Sequence, residues 1–121
     1  QDLNAITHPF VLREIDARLA QAGTKGARAI VLDVPLLFES GLDRACTATC
    51  AVLSSEELSV GRIVERDGIS PEQARARLRA QPGDDYYFSR CDVVLINDGP
   101  REDFLKKRVF ACKNMADKHA A

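Results

Sequence analysis

Ala29-Ile30-Val31-Leu32-Asp33 is an unbroken apolar run that ends in a carboxylate, with Pro35 two residues further on. β-Branched residues without polar alternation are how a strand covered on both faces reads, as in parallel sheets. Two other segments share this character. One is Cys46 to Leu53, closed by Ser54-Ser55. The other is Asp92-Val93-Val94-Leu95-Ile96, followed by the turn signal Asn97-Asp98-Gly99-Pro100. Helical segments separate the runs, and that alternation predicts an α/β fold with about three parallel strands and flanking helices. Ile30, Leu32, Cys50 and Val52 are expected in its core.

Ahead of the first run, Ile6, Phe10, Val11, Ile15, Leu19 and Ala22 recur at helical spacing. Thr7 before His8-Pro9 reads as an N-cap with proline in the first turn, and Gly23 as the stop. Between the second and third runs, Glu56 to Arg66 reads as a helix carrying Leu58, Val60, Ile63 and Val64, broken by Asp67-Gly68. Ser70-Pro71-Glu72-Gln73 then opens another, with Ser70 as N-cap, Pro71 at N1 and Gln73 closing a capping box. It carries Arg75, Arg77 and Arg79, and Pro82-Gly83 ends it. Such a polar pair makes a poor central crossover and is expected to project from the sheet. Glu102 to about Lys118 reads as a terminal amphipathic helix around Phe104, Leu105, Val109 and Phe110.

The length of 121 residues suits one domain, and 45% hydrophobic with 29% charged residues is ordinary globular composition. A net charge of -1 gives no electrostatic reason to expect nucleic acid or an anionic membrane as partner. No stretch approaches the ~18 apolar residues of a membrane span. No charged-then-apolar leader is present, so a cytoplasmic location is expected. Cys46, Cys50, Cys91 and Cys112 form no CxxC pair, and reduced thiols are the plain reading.

Three groups of residues carry possible chemistry. Asp33, at the end of an apolar strand, matches the position where P-loop enzymes hold Mg²⁺ directly or through water, although a turn or cap carboxylate looks the same. Arg62 and Arg66 are one helical turn apart, as are Arg75 and Arg79. Guanidinium groups on two such faces beside Gly68 could close on a polyphosphate through bidentate bonds. A solvated face paired with Glu65, Asp67 and Glu72 is the alternative. Asn97 and Gly99 follow a strand at the edge where open α/β sheets bind ligands, and an amide there can read a base edge, or simply form a turn. His8 has no acidic or cysteine neighbour that would make it a general base.

In order and spacing these blocks resemble the dephospho-coenzyme A kinases. They are Leu3-x-x-Ile6-Thr7-His8-Pro9, Asp33-Val-Pro35-Leu36-Leu37-Phe38-Glu39-Ser-Gly41, Arg62-x-x-x-Arg66-Asp67-Gly68-Ile-Ser70, Gln81, and Cys91-Asp92-Val-Val-Leu-Ile-Asn97-x-Gly99. The resemblance spans residue 2 to about residue 110. It implies a P-loop kinase fold and transfer of the ATP γ-phosphate to the ribose 3′-hydroxyl of dephospho-coenzyme A, with ATP and Mg²⁺ as cofactors. Residues 2–28 would be the helical coenzyme-binding region, 29–55 and 91–121 the nucleotide-binding core, and 56–90 the lid. Asp33 would lie near the metal, and Arg62 and Arg66 would face the ATP phosphates. Asn97 and Gly99 would border the adenine. Pro35, Leu36, Leu37, Phe38 and Glu39 would border the coenzyme, and His8 and Pro9 would open a helix of the coenzyme-binding region.

The departures carry weight too. No GxxxxGK[ST] occurs in these 121 residues, and neither the loop lysine nor the catalytic Asp of the family is present. That loop cradles the β- and γ-phosphates, so a fragment inactive by itself is expected, with no catalytic residue and no firmly bound cofactor of its own. Ser59 stands where the family more often has Gln, and Pro82 to Phe88 lacks the usual basic character. Strand edges left unpaired would favour direct closure of the 29–33 and 46–53 strands, or self-association. A non-catalytic coenzyme A- or nucleotide-binding module, or a fragment of another nucleoside-monophosphate-type kinase, is the alternative.

Overall fold

In the computed structural model, residues 2–119 are described, apart from the side chains of residues 2–8, 116, 118 and 119. The elements in chain order are α1 (Asp2–Thr24), a 3-10 turn (Leu42–Ala45), β1 (Cys50–Leu53), α2 (Glu56–Asp67), α3 (Pro71–Arg79), α4 (Asp84–Arg90), β2 (Val93–Ile96) and α5 (Arg101–His119). They fall into two compact units, Gln1–Pro35 and Leu36–Ala121.

In the first unit, α1 runs past its expected start: Thr7 is not an N-cap, and Pro9 lies inside the helix. Proline cannot donate to the carbonyl four residues back, yet one missing bond is tolerated when the rest of the helix continues. Leu12, Ile15, Leu19 and Ala22 form its half-buried stripe, while Phe10 and Val11 are exposed.

Ala29 to Asp33 is not a strand. An apolar run signals a wish for burial, but a strand exists only where a neighbour satisfies its N–H and C=O groups. Of the two residues of this run expected in the core, Ile30 is 47% exposed and Leu32 is half-buried, and Val31 between them is 83% exposed.

The second unit holds the sheet, which among the described residues has two strands. β1 and β2 pair in parallel, with Cys50 opposite Val93 and Leu53 opposite Ile96. The strand expected over 46–53 is therefore shorter at its start, where Leu42–Ala45 winds into the 3-10 turn after Gly41 at φ 74°. Two carboxylates clamp the pair. At its entrance Asp92 accepts from the Thr49 N–H at 2.7 Å and from the Thr49 hydroxyl at 2.9 Å. At its exit Asp98 accepts from the Ser55 N–H at 2.7 Å, and the Asn97 N–H donates to the Leu53 carbonyl at 2.8 Å.

The α2–α3 helix pair forms as its sequence requires. Gly68 ends α2 in the left-handed conformation at φ 66°, donating its N–H to the Val64 carbonyl. Ser70 and Gln73 complete the capping box of α3. α2 packs on α3, while α4 and α5 pack on β2. The buried positions are mostly small: Ala51, Val60, Ala74 and Ala111. Cys50 and Val52, expected inside, are exposed. α4 was not anticipated from Pro82 to Phe88. Its signals are Gly83 as cap, Asp84 and Asp85 in the first turn and Arg90 in the last, which complement the helix dipole.

Candidate functional site

β1 and β2 run side by side in the same direction, so Ser54 and Asn97 emerge together at the C-terminal edge of the sheet. This is the edge at which open α/β sheets place their ligands. Arg62 reaches back to it from α2. Its guanidinium donates to the Ser54 hydroxyl at 3.2 Å and to the Asn97 carbonyl at 3.0 Å. Both acceptors are neutral, so the positive charge of Arg62 is not cancelled there.

Arg66 behaves differently. It donates through Nε and Nη2 to both oxygens of Asp67, at 2.7 and 3.0 Å. Arg77 of α3 donates to the same carboxylate at 2.6 Å. The hydrogen bond from Arg66 leads the causes that hold the Asp67 carboxyl below the usual carboxylate range. Arg62 thus addresses the sheet edge, whereas Arg66 and Arg77 are tied at the α2–α3 elbow. Arg75 lies 3.7 Å from Glu56, an exposed pairing of little energetic weight.

A groove of about 420 Å³ opens beside Asn97 and Gly99. Arg62, Arg101 and Arg108 line it, with Phe104 and Leu105 between the last two. Positions 101, 104, 105 and 108 are one face of α5, by the i, i+3, i+4, i+7 rule. Neither Arg101 nor Arg108 was singled out in the sequence. The helical spacing that follows Asn97-Asp98-Gly99 is the signal that would have found them.

Leu36, Leu37, Phe38 and Glu39 lie in the same unit, ahead of the 3-10 turn. Phe38 is half-buried and meets Tyr86 of α4 edge-on, with 6.0 Å between ring centroids. Tyr86 meets Tyr87 at 5.2 Å, and the Arg90 guanidinium lies 4.0 Å over the Tyr86 ring. Burial, and then the nearby Glu39 charge, push the Tyr87 phenol up. Leu36 and Glu39 are exposed.

Of the other expected site residues, Pro9, Asp33 and Pro35 are exposed within the first unit, and the His8 side chain lies outside the described residues. Among the described residues no group of three His, Cys, Asp or Glu side chains is arranged to hold a metal. Asp33 is a single exposed carboxylate, which is the kind of donor Mg²⁺ takes when phosphate oxygens complete its shell. Burial pushes the Cys46 and Cys91 thiols up, so both keep their protons at neutral pH. Among the described residues no helix is long and apolar enough to cross a membrane.

The model of the dephospho-CoA kinase family matches residues 1–103. The chain belongs to the dephospho-CoA kinase family. A dephospho-CoA kinase of Corynebacterium glutamicum is 40% identical over 101 residues, 84% of this chain and 50% of the relative. One from Fusobacterium nucleatum is 35% identical over 118 residues, 95% of this chain and 58% of the relative. The dephospho-CoA kinase structure from Campylobacter jejuni superposes with a TM-score of 0.65 at 26% identity, over 96% of this chain and 57% of that one. A crystal structure from Thermus thermophilus gives 0.69 at 34% identity, over 91% and 57%. The chain spans about half the length of these curated dephospho-CoA kinases.

Proposed function

We propose that these residues are the nucleotide-holding and coenzyme-holding part of an enzyme that transfers the ATP γ-phosphate to the ribose 3′-hydroxyl of dephospho-coenzyme A. The observation that supports this most directly is Arg62, whose uncancelled charge stands on the exits of both strands beside Asn97. In this reading the adenine lies beside Asn97 and Gly99. Arg62 turns from its neutral acceptors to the phosphates, which bind a guanidinium more strongly than a hydroxyl or carbonyl does. Arg66 serves the same anion from the α2–α3 elbow, with 56–90 as the lid and 29–55 with 91–121 as the nucleotide core. The coenzyme lies along residues 2–28, including His8 and Pro9, and along Pro35, Leu36, Leu37, Phe38 and Glu39. Asp33 would hold Mg²⁺, which when bound neutralises charge on the β- and γ-phosphates. The proteins of this reaction are expected in the cytoplasm, acting on small molecules.

Phosphoryl transfer depends on positioning and charge neutralisation, and no GxxxxGK[ST] loop lies within residues 1–121. The 121 residues alone are therefore expected to bind nucleotide weakly and to release no ADP from ATP and dephospho-coenzyme A. An amide-resolved ATP titration together with a coupled ADP-release assay tests both halves. ATP shifts clustered at residues 54, 62, 97 and 99 without turnover are expected. Turnover near ~10 per second, a typical enzyme rate, would overturn the role given to a GxxxxGK[ST] loop.

A further inference from the structure

The groove beside Asn97 holds more positive charge than the residues assigned above account for. Arg62, Arg101 and Arg108 all line it, and no carboxylate does. Among the described residues Arg101 and Arg108 make no hydrogen bond or ion pair, and Arg62 meets neutral acceptors only. The neighbouring Asp98 accepts from the Ser55 N–H and does not line the groove. Three like charges around one groove repel each other at a cost that an arriving anion removes. Between Arg101 and Arg108 lie Phe104 and Leu105, both half-buried, which make an apolar floor. About 420 Å³ is within the range of small-molecule sites.

A cationic rim over an apolar floor suits a ligand that is flat and apolar in one part and anionic in another. A planar base can lie on Phe104 and Leu105 or stack on a guanidinium plane, and phosphate oxygens take the guanidinium donors. We infer that Arg101 and Arg108 are further binding residues for the nucleotide, forming with Arg62 a three-guanidinium rim that selects a nucleoside polyphosphate over the nucleoside. This inference rests on the placing of the nucleotide beside Asn97 and Gly99. It goes beyond that placing by assigning the selectivity to α5.

The test is an amide-resolved titration of the chain with three probes: ATP, adenosine and inorganic tripolyphosphate. Wild type is compared with the double variant Arg101→Ala/Arg108→Ala and with Arg101→Lys/Arg108→Lys, which keeps the charge. ATP affinity is expected to fall about tenfold in the alanine variant, the loss from two solvent-screened charged hydrogen bonds. Adenosine affinity should change less than about twofold, and the lysine variant should recover most of the ATP binding. Unchanged ATP affinity in the alanine variant, with shifts still centred on Asn97, would overturn the role of α5 and leave the nucleotide placing intact. Equal losses for ATP and adenosine would overturn the selectivity. ATP shifts that avoid residues 97–108 altogether would overturn both. Amide spectra of the variants that match wild type outside α5 exclude misfolding as the cause of any loss.

Discussion

Tyr87 links the loop expected to border the coenzyme to α4. Its phenol is pushed up by burial first and then by the Glu39 charge, with Tyr86 and Cys91 adding to this. The folded chain therefore favours the neutral phenol. This contribution to stability is present below about pH 10 and is lost as pH rises through the raised value. Glu39→Gln removes one cause and leaves burial, so the Tyr87 transition should move down toward the ordinary tyrosine range without reaching it. Alkaline absorbance titration at the phenolate band reads this, and an unmoved transition would show that Glu39 exerts no effect. The sequence gives Glu39 as one residue of a family block, but nothing in it places a tyrosine nearby. Tyr86 and Tyr87 sit in a stretch marked only by its lack of basic residues. Asp67 shows the opposite case. A carboxylate beside several arginines in sequence does not say which of them it meets, and in the fold Arg66 and Arg77 share it.

Among the elements, those set by local rules were readable in advance. Ser70, Pro71 and Gln73 specify the start of α3 through contacts within one turn, and Gly68 specifies the end of α2. What depends on distant partners was not readable. Ala29 to Asp33 has the composition of a buried strand and lacks a ladder, while Cys46 to Leu53 keeps only its last four residues as strand. The clamps at the two ends of the β1–β2 pair are likewise long-range, and they should differ in strength. Thr49 is 9% exposed, so removing its acceptor strands a buried N–H and hydroxyl. Asp92→Ala should cost about 1–3 kcal/mol on that account. The Ser55 bond is exposed, and water can replace its acceptor, so Asp98→Ala should cost about 1 kcal/mol or less. Urea unfolding of the two variants gives the order, and a larger loss for Asp98→Ala would contradict the burial argument.

At the scale of the molecule, the buried positions among the described residues are too few and too small to hide its apolar side chains. Val52 is 56% exposed and Phe110 69%, and a two-stranded sheet leaves each strand with an unpaired outer edge among the described residues. Open apolar edges are templates for pairing between chains. The expected direct closure of residues 29–33 onto 46–53 is not what satisfies β1, which pairs with β2 instead. Self-association through the remaining edges is thus the outcome to expect for the 121 residues alone. Sedimentation velocity across a concentration series should show mass rising with concentration. A monomer throughout would indicate that the edge residues are protected by their own twist and short length.

The two clamps join Thr49 to Asp92 and Ser55 to Asp98, each across 43 positions. Everything from α2 to α4 is therefore a loop drawn shut at its neck by the sheet. Such a neck is indifferent to covalent continuity farther along the loop. A backbone cut at Gln81 to Gly83 divides the polypeptide but not the body it belongs to, because each piece keeps one strand of the pair. Loop length is equally free to drift, since doubling it costs only about 0.6 kcal/mol in closure entropy. The α2–α4 segment can be rebuilt, nicked or lengthened while the neck keeps its two ends in register.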